Sequence, residues 1–343
     1  MTDTNQRINW YKTPVDREEF RKLTKRSDAK GLLHMGGFLL LFALTLYGAF
    51  YFFQAQMWIP MIAAAYLHGA FRGFMGMESA VHELSHGTVF KSKGLNAFFY
   101  NLFSFLSWNS PVHFKASHRA HHHYTIHKEH DKEVWDLPVG LGILQVLAML
   151  TVDIPKMGKY FIPTFAHALG KTQIDYFSWN PLFEKGSKEE KKMIAWARFM
   201  IIGHLLLTAL FLYYKLWILA VLVSFGYFIG TFYSKGCGML QHKGLPSEIP
   251  DWRAICYNTN LGPLAGFLYC NMQYHIDHHM FAGVPFYNLP KLNKLIRHDF
   301  PEPLKGYWRG LAHVFRIDKK QKSDPEYRYW QTLPEGAAPF RMN

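Results

Sequence analysis

Nine histidines carry the chemistry this chain can do. His82 and His86 stand at i and i+4 in the run His82-Glu83-Leu84-Ser85-His86. His118, His121 and His122 stand at i, i+3 and i+4, and His275, His278 and His279 repeat that spacing. On a helix these positions share one face, so each cluster can aim its imidazoles at one point. His242 lies between the second and third clusters, 33 residues before His275. A chain with 19 histidines produces a single HxxxH by chance. Two HxxHH clusters together with an HxxxH are a different matter. They predict a metal site, and their number predicts a site for two metals.

The first cluster alone is also an H-E-x-x-H match, the zinc metalloprotease pattern, in which two histidines bind zinc and the glutamate acts as base. A catalytic zinc takes three protein ligands and keeps one position open, which leaves six further clustered histidines unexplained. Imidazole suits iron, zinc, copper and nickel. Four or five nitrogens on each of two metals leave little room for carboxylates, unlike soluble di-iron bundles built on glutamate. Zinc has no redox chemistry, whereas a nitrogen-rich iron pair suits attack on an unactivated C–H bond. Glu83, Asp131 and Asp277 are candidates to hold imidazole N–H groups, a role metal-bound histidines need filled.

The elements that must position these clusters read as membrane helices. From Gly31 to Phe71 there is no Asp, Glu, Lys or Arg. A crossing needs about 20 apolar residues, so this run holds two, broken near Gln54 to Pro60. A second block from Met193 to about Ser234 holds two more, split by Lys215. The spans fall at about 32–53, 57–79, 193–213 and 216–236, with the second continuing towards His82. Residues 94–110 read as an interfacial or re-entrant helix and 138–170 as helices lying on the membrane. The fold class is therefore all-α integral membrane: four transmembrane helices as two hairpins, with a cytosolic helical cap carrying the histidine-rich dimetal site. Residues 1–30 form a cytosolic arm, 31–297 the membrane domain and 298–343 a cytosolic tail.

Basic residues crowd the flanks of the apolar runs, among them Arg17, Arg21, Lys22, Lys25, Arg26 and Lys30 before the first, and Lys191, Lys192, Lys235 and Lys243 around the second pair. This places both termini and all three clusters on the cytosolic side. The net charge of +13 accompanies no nucleic-acid motif, and anionic lipid is the partner it fits. Mean hydropathy is only −0.09, so a sizeable water-facing part must exist. Cys237, Cys256 and Cys270 make no CxxC pair and read as buried thiols. No cleavable signal peptide is visible, and the inner membrane of a bacterium is the expected location.

The three clusters together resemble the histidine boxes of the membrane fatty acid desaturases, with the related alkane and acyl hydroxylases. The resemblance runs from about residue 31 to about 300. It implies a di-iron site, O₂ as co-substrate, two electrons from outside and an apolar tunnel for the substrate. Matched residue by residue, it implies His82, His86, His118, His121, His122, His275, His278 and His279 as ligands, with His242 as the extra one. The acyl-CoA branch has an asparagine four residues before that histidine; here the position is Gly238. His242-Lys243-Gly244-Leu245 looks more like the alkane hydroxylase branch. The function expected is oxidation of an unactivated C–H bond of a fatty-acyl or other lipophilic chain by two Fe ions and O₂. Desaturation leads, hydroxylation is its sibling, and an intramembrane zinc protease is the alternative from a different class. Electrons are expected from a separate ferredoxin, rubredoxin or cytochrome b5 with its reductase. Lys291, Lys294, Lys305, Arg297 and Arg309 could dock such a donor.

Overall fold

The computed structural model describes residues 8–127, 130–131, 133, 142–174 and 181–342. Expectations for residues 1–7 of the arm and 138–141 of the surface stretch fall outside the described residues. Among those described, the regular elements are helices only. In chain order they are α1 (Arg17–Leu23), α2 (Asp28–Gln54), α3 (Trp58–Gly73), α4 (Ala80–Ser85), α5 (Lys93–Leu106), α6 (Pro111–Tyr124), α7 (Ile143–Leu150), α8 (Ile154–Ala168), α9 (Lys188–Tyr213), α10 (Trp217–Phe225), α11 (Phe232–His242), α12 (Trp252–Ile255), α13 (Pro263–Leu268), α14 (His275–Met280), α15 (Leu289–Ile296) and α16 (Tyr307–Ser323). They divide into two units. One comprises residues 26–116 and 141–236, the other 1–25, 117–140 and 237–343.

The first unit contains the apolar helices. Ser27 caps α2 by accepting from the Lys30 amide, and Ser187 caps α9 by accepting from the Glu190 amide. Glu189 and Glu190 in the first turn of α9 oppose the positive end of its dipole. These two helices, of 27 and 26 residues, are long and apolar enough to cross a membrane. At 1.5 Å per residue each is roughly 40 Å long. Their flanks are apolar and open: Leu33, Leu40, Leu44 and Tyr51 on α2, and Ile202, Leu205, Leu206 and Leu210 on α9.

The helices found at the second and fourth expected spans are shorter than those expectations. α3 ends at Gly73, and residues 74–79 turn before α4 begins. His68 and His82 therefore do not share one helix. α10 runs only to Phe225, continues as a 3₁₀ turn over Gly226–Phe228 and breaks at Gly230, which has φ +61°. A break in an apolar setting leaves terminal carbonyls without partners. Arg72, fully buried at the end of α3, supplies donors for them. Its guanidinium donates to the carbonyls of Leu222 and Val223 (2.8 Å for the latter) and to that of Leu106 at the end of α5. One arginine thus caps two helices, which a hydropathy profile does not show. Close packing of α3 on the break depends on Gly69, where a Cβ would come within 2.5 Å of Ile229 Cβ.

α7 and α8 carry open apolar faces (Ile143, Leu144, Leu147, Ile154, Ile162, Phe165). Asp153 caps α8 and also takes a 2.6 Å ion pair from Lys235.

The second unit carries α1, α12–α16 and the histidine-bearing parts of α6 and α11. Its core is Ile276, Met280, Phe286, Leu289, Leu292, Ile296, Val314 and Ile317. Residues 8–25 of the expected arm and 298–342 of the expected tail are built into it. Arg253, with a fully buried side chain, pairs with Asp251 (2.7 Å) and Asp299 (2.8 Å). The same guanidinium donates to the carbonyls of Ala338 (3.0 Å) and Pro339 (3.1 Å), and lies 3.7 Å over the Tyr11 ring. Gln331 donates to the carbonyls of Arg253 and Cys256. Segments more than 70 residues apart in sequence meet here, so no local pattern announces the clasp.

Candidate metal centre

α6 begins at Pro111, whose fixed φ suits a first helical position. Its last turns present His118, His121 and His122. α11 ends on His242, and the six-residue α14 is little more than its own histidine cluster. All seven of these histidines belong to one unit, and the structure gathers them. Nε2 of His122 lies 3.1 Å from Nε2 of His118 and 3.1 Å from Nε2 of His278. Nε2 of His275 lies 2.9 Å from Nε2 of His242 and 3.1 Å from Nε2 of His279. The arrangement is two triads, His118–His122–His278 and His242–His275–His279. The His121 ring lies 4.9 Å from that of His279 and 5.2 Å from that of His242.

His82 and His86 belong to the other unit. Their ring centroids lie 5.4 Å apart, as i,i+4 spacing at the end of α4 requires. His82 is buried, as is Glu83 between them at 1% exposure.

Hydrogen positions in the triads follow from the partners. His242 Nδ1 lies 2.9 Å from the Ile255 carbonyl, which can only accept, so the proton is on Nδ1 and Nε2 holds a lone pair. Thr125 Oγ1 donates to the His121 carbonyl (2.7 Å), which makes it the acceptor for His279 Nδ1 at 3.2 Å and leaves His279 Nε2 a lone pair. His118 Nδ1 donates to Glu133 at 2.9 Å and His121 Nδ1 to Asp131 at 2.9 Å. The inward nitrogens of His242 and His279 are therefore unprotonated, and a neutral His118 or His121 likewise turns its lone pair inward. His275 Nε2 has one site for a proton and two lone-pair neighbours, so at least one close N···N approach repels unless a cation lies between. With metal–nitrogen bonds of about 2.1 Å, separations of 2.9–3.1 Å correspond to roughly 90° at the metal. The donor set thus fits a pair of metals that accept right-angled nitrogen ligands.

The protonation balance agrees. Burial, reinforced by neighbouring imidazoles, holds His275, His278 and His279 well below the usual histidine range, and burial takes His242 to about 3. These are neutral imidazoles, the form that binds metal. His121 differs: burial opposes its charged form, but the Asp131 carboxylate outweighs burial and raises it.

Asp131 takes the expected role of holding an imidazole. Asp277 does not. Between His275 and His278 on α14 it stands about 100° per residue off their face, and it accepts instead from Asn258 Nδ2 (2.8 Å) and Asn293 Nδ2 (3.1 Å). Asn258 Oδ1 also accepts from the Ile276 amide, so this trio orients α14 from behind. Glu133 was missed by the sequence reading. It lies 15 residues from its partner in an irregular segment, and a carboxylate soon after an HxxHH run was the one available signal. Cys256, read as a plain buried thiol, lies beside the second triad with Sγ 3.6 Å from His242 Nδ1. That contact is on the outer side of the imidazole, and burial pushes the thiol well above its ordinary range.

Comparison with known proteins agrees with this chemistry. The fatty acid desaturase profile matches residues 56–310. The chain belongs to the fatty acid desaturase family. Among curated proteins, fatty acid conjugase FAC2 A of Calendula officinalis is 25% identical over 255 residues, covering 63% of this chain and 65% of that protein. The chain thus spans about 65% of the length of the curated relative it matches. The histidine groups of this desaturase-family chain are of the kind that could hold metal ions.

Proposed function

We propose that this chain is an O₂-dependent, non-haem di-iron oxidoreductase that acts on an unactivated C–H bond of a fatty-acyl or other lipophilic chain, with desaturation as its outcome. The observation that carries the reading is the pair of imidazole triads whose inward Nε2 atoms converge to separations of 2.9–3.1 Å. The proposed ligands are His118, His122 and His278 for one iron and His242, His275 and His279 for the other, with His121 beside the second. His82 and His86 complete the set on the strength of their spacing and family pattern. Bound iron would supply oxygen activation and take up the electrons that a separate donor protein delivers.

The protein's own residues do the rest. Glu133, Asp131, the Ile255 carbonyl and Thr125 each hold a proton on an outer Nδ1 and so keep the inner nitrogen free for metal. Asn258 and Asn293 fix α14 through Asp277. Burial of the clusters excludes bulk water, which protects a reactive site from side reactions. Placement of the acyl chain then selects between loss of a second hydrogen, giving an alkene, and hydroxylation. Gly238, in place of the asparagine of the acyl-CoA branch, supports keeping hydroxylation as the second reading.

The membrane reading is part of the same proposal. α2 and α9 are crossings, α3 and the broken α10 complete two hairpins, and both termini and the histidine clusters lie on the cytosolic side. The open apolar faces of α2, α7, α8 and α9 and the basic flanks support it. The test is iron per polypeptide on protein made in iron-replete cells and purified in dodecyl maltoside, followed by analysis of host lipids. About two irons per chain, lost in His118→Ala and His278→Ala, is the expected result. About one zinc, no iron and a harmless His275→Ala would sink the proposal and favour a zinc hydrolase.

A further inference from the structure

Among the proposed metal ligands, His242 alone has no second ligand within four residues of it. The others are spaced by their own helices, so helix geometry fixes each against a neighbour. His242 is the last residue of α11, and Gly244, with φ +79°, turns the chain away two residues later. Its ring must be held from outside α11, and the holder is the Ile255 carbonyl, 2.9 Å from Nδ1. Ile255 ends α12, a helix of four residues. The last turn of any helix leaves its carbonyls to outside donors, and α12 is little more than one turn. The direction of the Ile255 carbonyl therefore depends on what else grips this turn.

Gln331, buried in the C-terminal segment, grips it. Its Nε2 donates to the Arg253 carbonyl at 2.7 Å and to the Cys256 carbonyl at 2.7 Å. A carboxamide nitrogen carries two donors, and both are used here, one on each side of Ile255. The segment around Gln331 is itself tied down. The Tyr329 amide donates to the Gly244 carbonyl at 2.8 Å, and the Arg341 amide to Asp251 at 3.0 Å. Tyr329 thus meets the chain leaving His242, while Gln331 meets the turn facing it. The Tyr257 amide donates to the Gln241 carbonyl at 2.8 Å and closes that turn onto α11. Residues 329–341 brace His242 from behind, and every residue of this brace lies within one unit.

We propose that Gln331 is a positioning residue for one metal of the pair. By fixing the Ile255 carbonyl it keeps the His242 proton on Nδ1 and the Nε2 lone pair turned inward. Release of the C-terminal segment then loosens the metal held by His242, His275 and His279 and leaves the other in place. The proposal rests on the two-metal reading of the triads. His118, in the other triad, is held by Glu133 instead, so the two metals have separate outer supports and separate sensitivities.

The test uses the full-length chain in dodecyl maltoside, stripped of metal and titrated with ferrous ion, and separately with zinc, against a competing chelator. Wild type should fill in two steps. Gln331→Ala should weaken one step by about tenfold, the lower end of the cost of losing an outer partner of a metal-bound histidine, and leave the other within about twofold. Gln331→Glu keeps the shape but turns oxygen towards two carbonyls, so it should weaken the same step at least as much. In a His242→Ala background Gln331→Ala should cause no further loss, whereas Glu133→Ala, which acts on the other triad, should. The melting temperature of the metal-free protein is the folding control. A Gln331→Glu chain that binds like wild type, or a loss that persists in His242→Ala, would overturn the proposal. So would both steps weakening together with a lowered melting temperature, the mark of a merely structural role. Two irons bound by Gln331→Ala as tightly as by wild type would remove this role and leave the oxidase reading standing. One zinc step weakened selectively in a chain that takes up no iron would do the reverse.

Discussion

Replacing Glu133 by alanine is expected to loosen metal binding without touching a ligand. One carboxylate oxygen accepts from His118 Nδ1 at 2.9 Å and the other from Ser117 Oγ at 2.9 Å. With the carboxylate gone, the His118 proton is free to move to Nε2, which removes the lone pair from the inward side, and the ring can rotate. A hydrogen bond to a charged group contributes about 1.5–3 kcal/mol. Loss of an outer partner of a metal-bound histidine costs about 10–100-fold in metal affinity, or about 1.4–2.8 kcal/mol at 1.4 kcal/mol per tenfold. The two routes to the magnitude agree. Glu133→Gln keeps an acceptor oxygen but not the charge, so it should fall between wild type and alanine. Ser117→Ala, which removes only the second contact, should change affinity by less than about threefold. The assay is ferrous-ion titration against a competing chelator, with the melting temperature of the iron-free protein as a folding control. Wild-type affinity in a well-folded Glu133→Ala chain would refute the argument that the outer partner fixes the tautomer.

Glu83→Gln should retain its iron and most of its activity, because a general base must be accessible and Glu83 is 1% exposed; loss of nearly all turnover with iron intact would contradict this. Lys156 is fully buried, 3.6 Å from the centroid of the Tyr227 ring, and burial lowers it from the usual lysine value to about 8. The folded state therefore binds this proton less well than the unfolded state, so stability is reduced below about pH 8 and recovers as pH rises towards 10.5. Lys156→Met should melt above wild type at pH 7, by at most on the order of 3 kcal/mol less the lost ring contact. The gap should close by pH 10.5, and a pH-independent gap would refute the assignment. Gly69→Ala should destabilise the apolar unit by about 1–3 kcal/mol, since its Cβ would meet the Ile229 backbone oxygen at 2.7 Å as well as its side chain. A melting temperature equal to wild type would show that the break after α10 can shift.

What was legible in the sequence was what local geometry dictates. Spacings of three and four residues place imidazoles on one helix face whatever the rest of the chain does, so the clusters of α6 and α14 could be read directly. Long uncharged runs likewise announced α2 and α9, because length and hydropathy are sums over neighbouring residues. The breaks after Gly73 and Phe228 were not legible. A helix stops in an apolar setting only where something satisfies its last carbonyls, and here that is Arg72, 150 residues from Leu222. Asp277 shows the same limit at short range: its place in the cluster motif was plain, but which face it presents is decided by α14 and by Asn258 and Asn293 across the fold.

The sequence by itself determined the spacing of three histidine clusters flanked by apolar runs, and hence the capacity to hold metal and the resemblance to the family. Only the tertiary structure decided how six of those histidines divide into two triads with His121 beside the second, which outer nitrogens of His118, His121, His242 and His279 hold a proton, and that Glu133 rather than Asp277 serves an imidazole. It also folded the two terminal segments onto Arg253. The division has a physical reason. Helix periodicity is a property of residues a few positions apart. Tautomers, caps and pockets depend on acceptors and walls contributed by residues far away in sequence, and those meet only when the chain has folded.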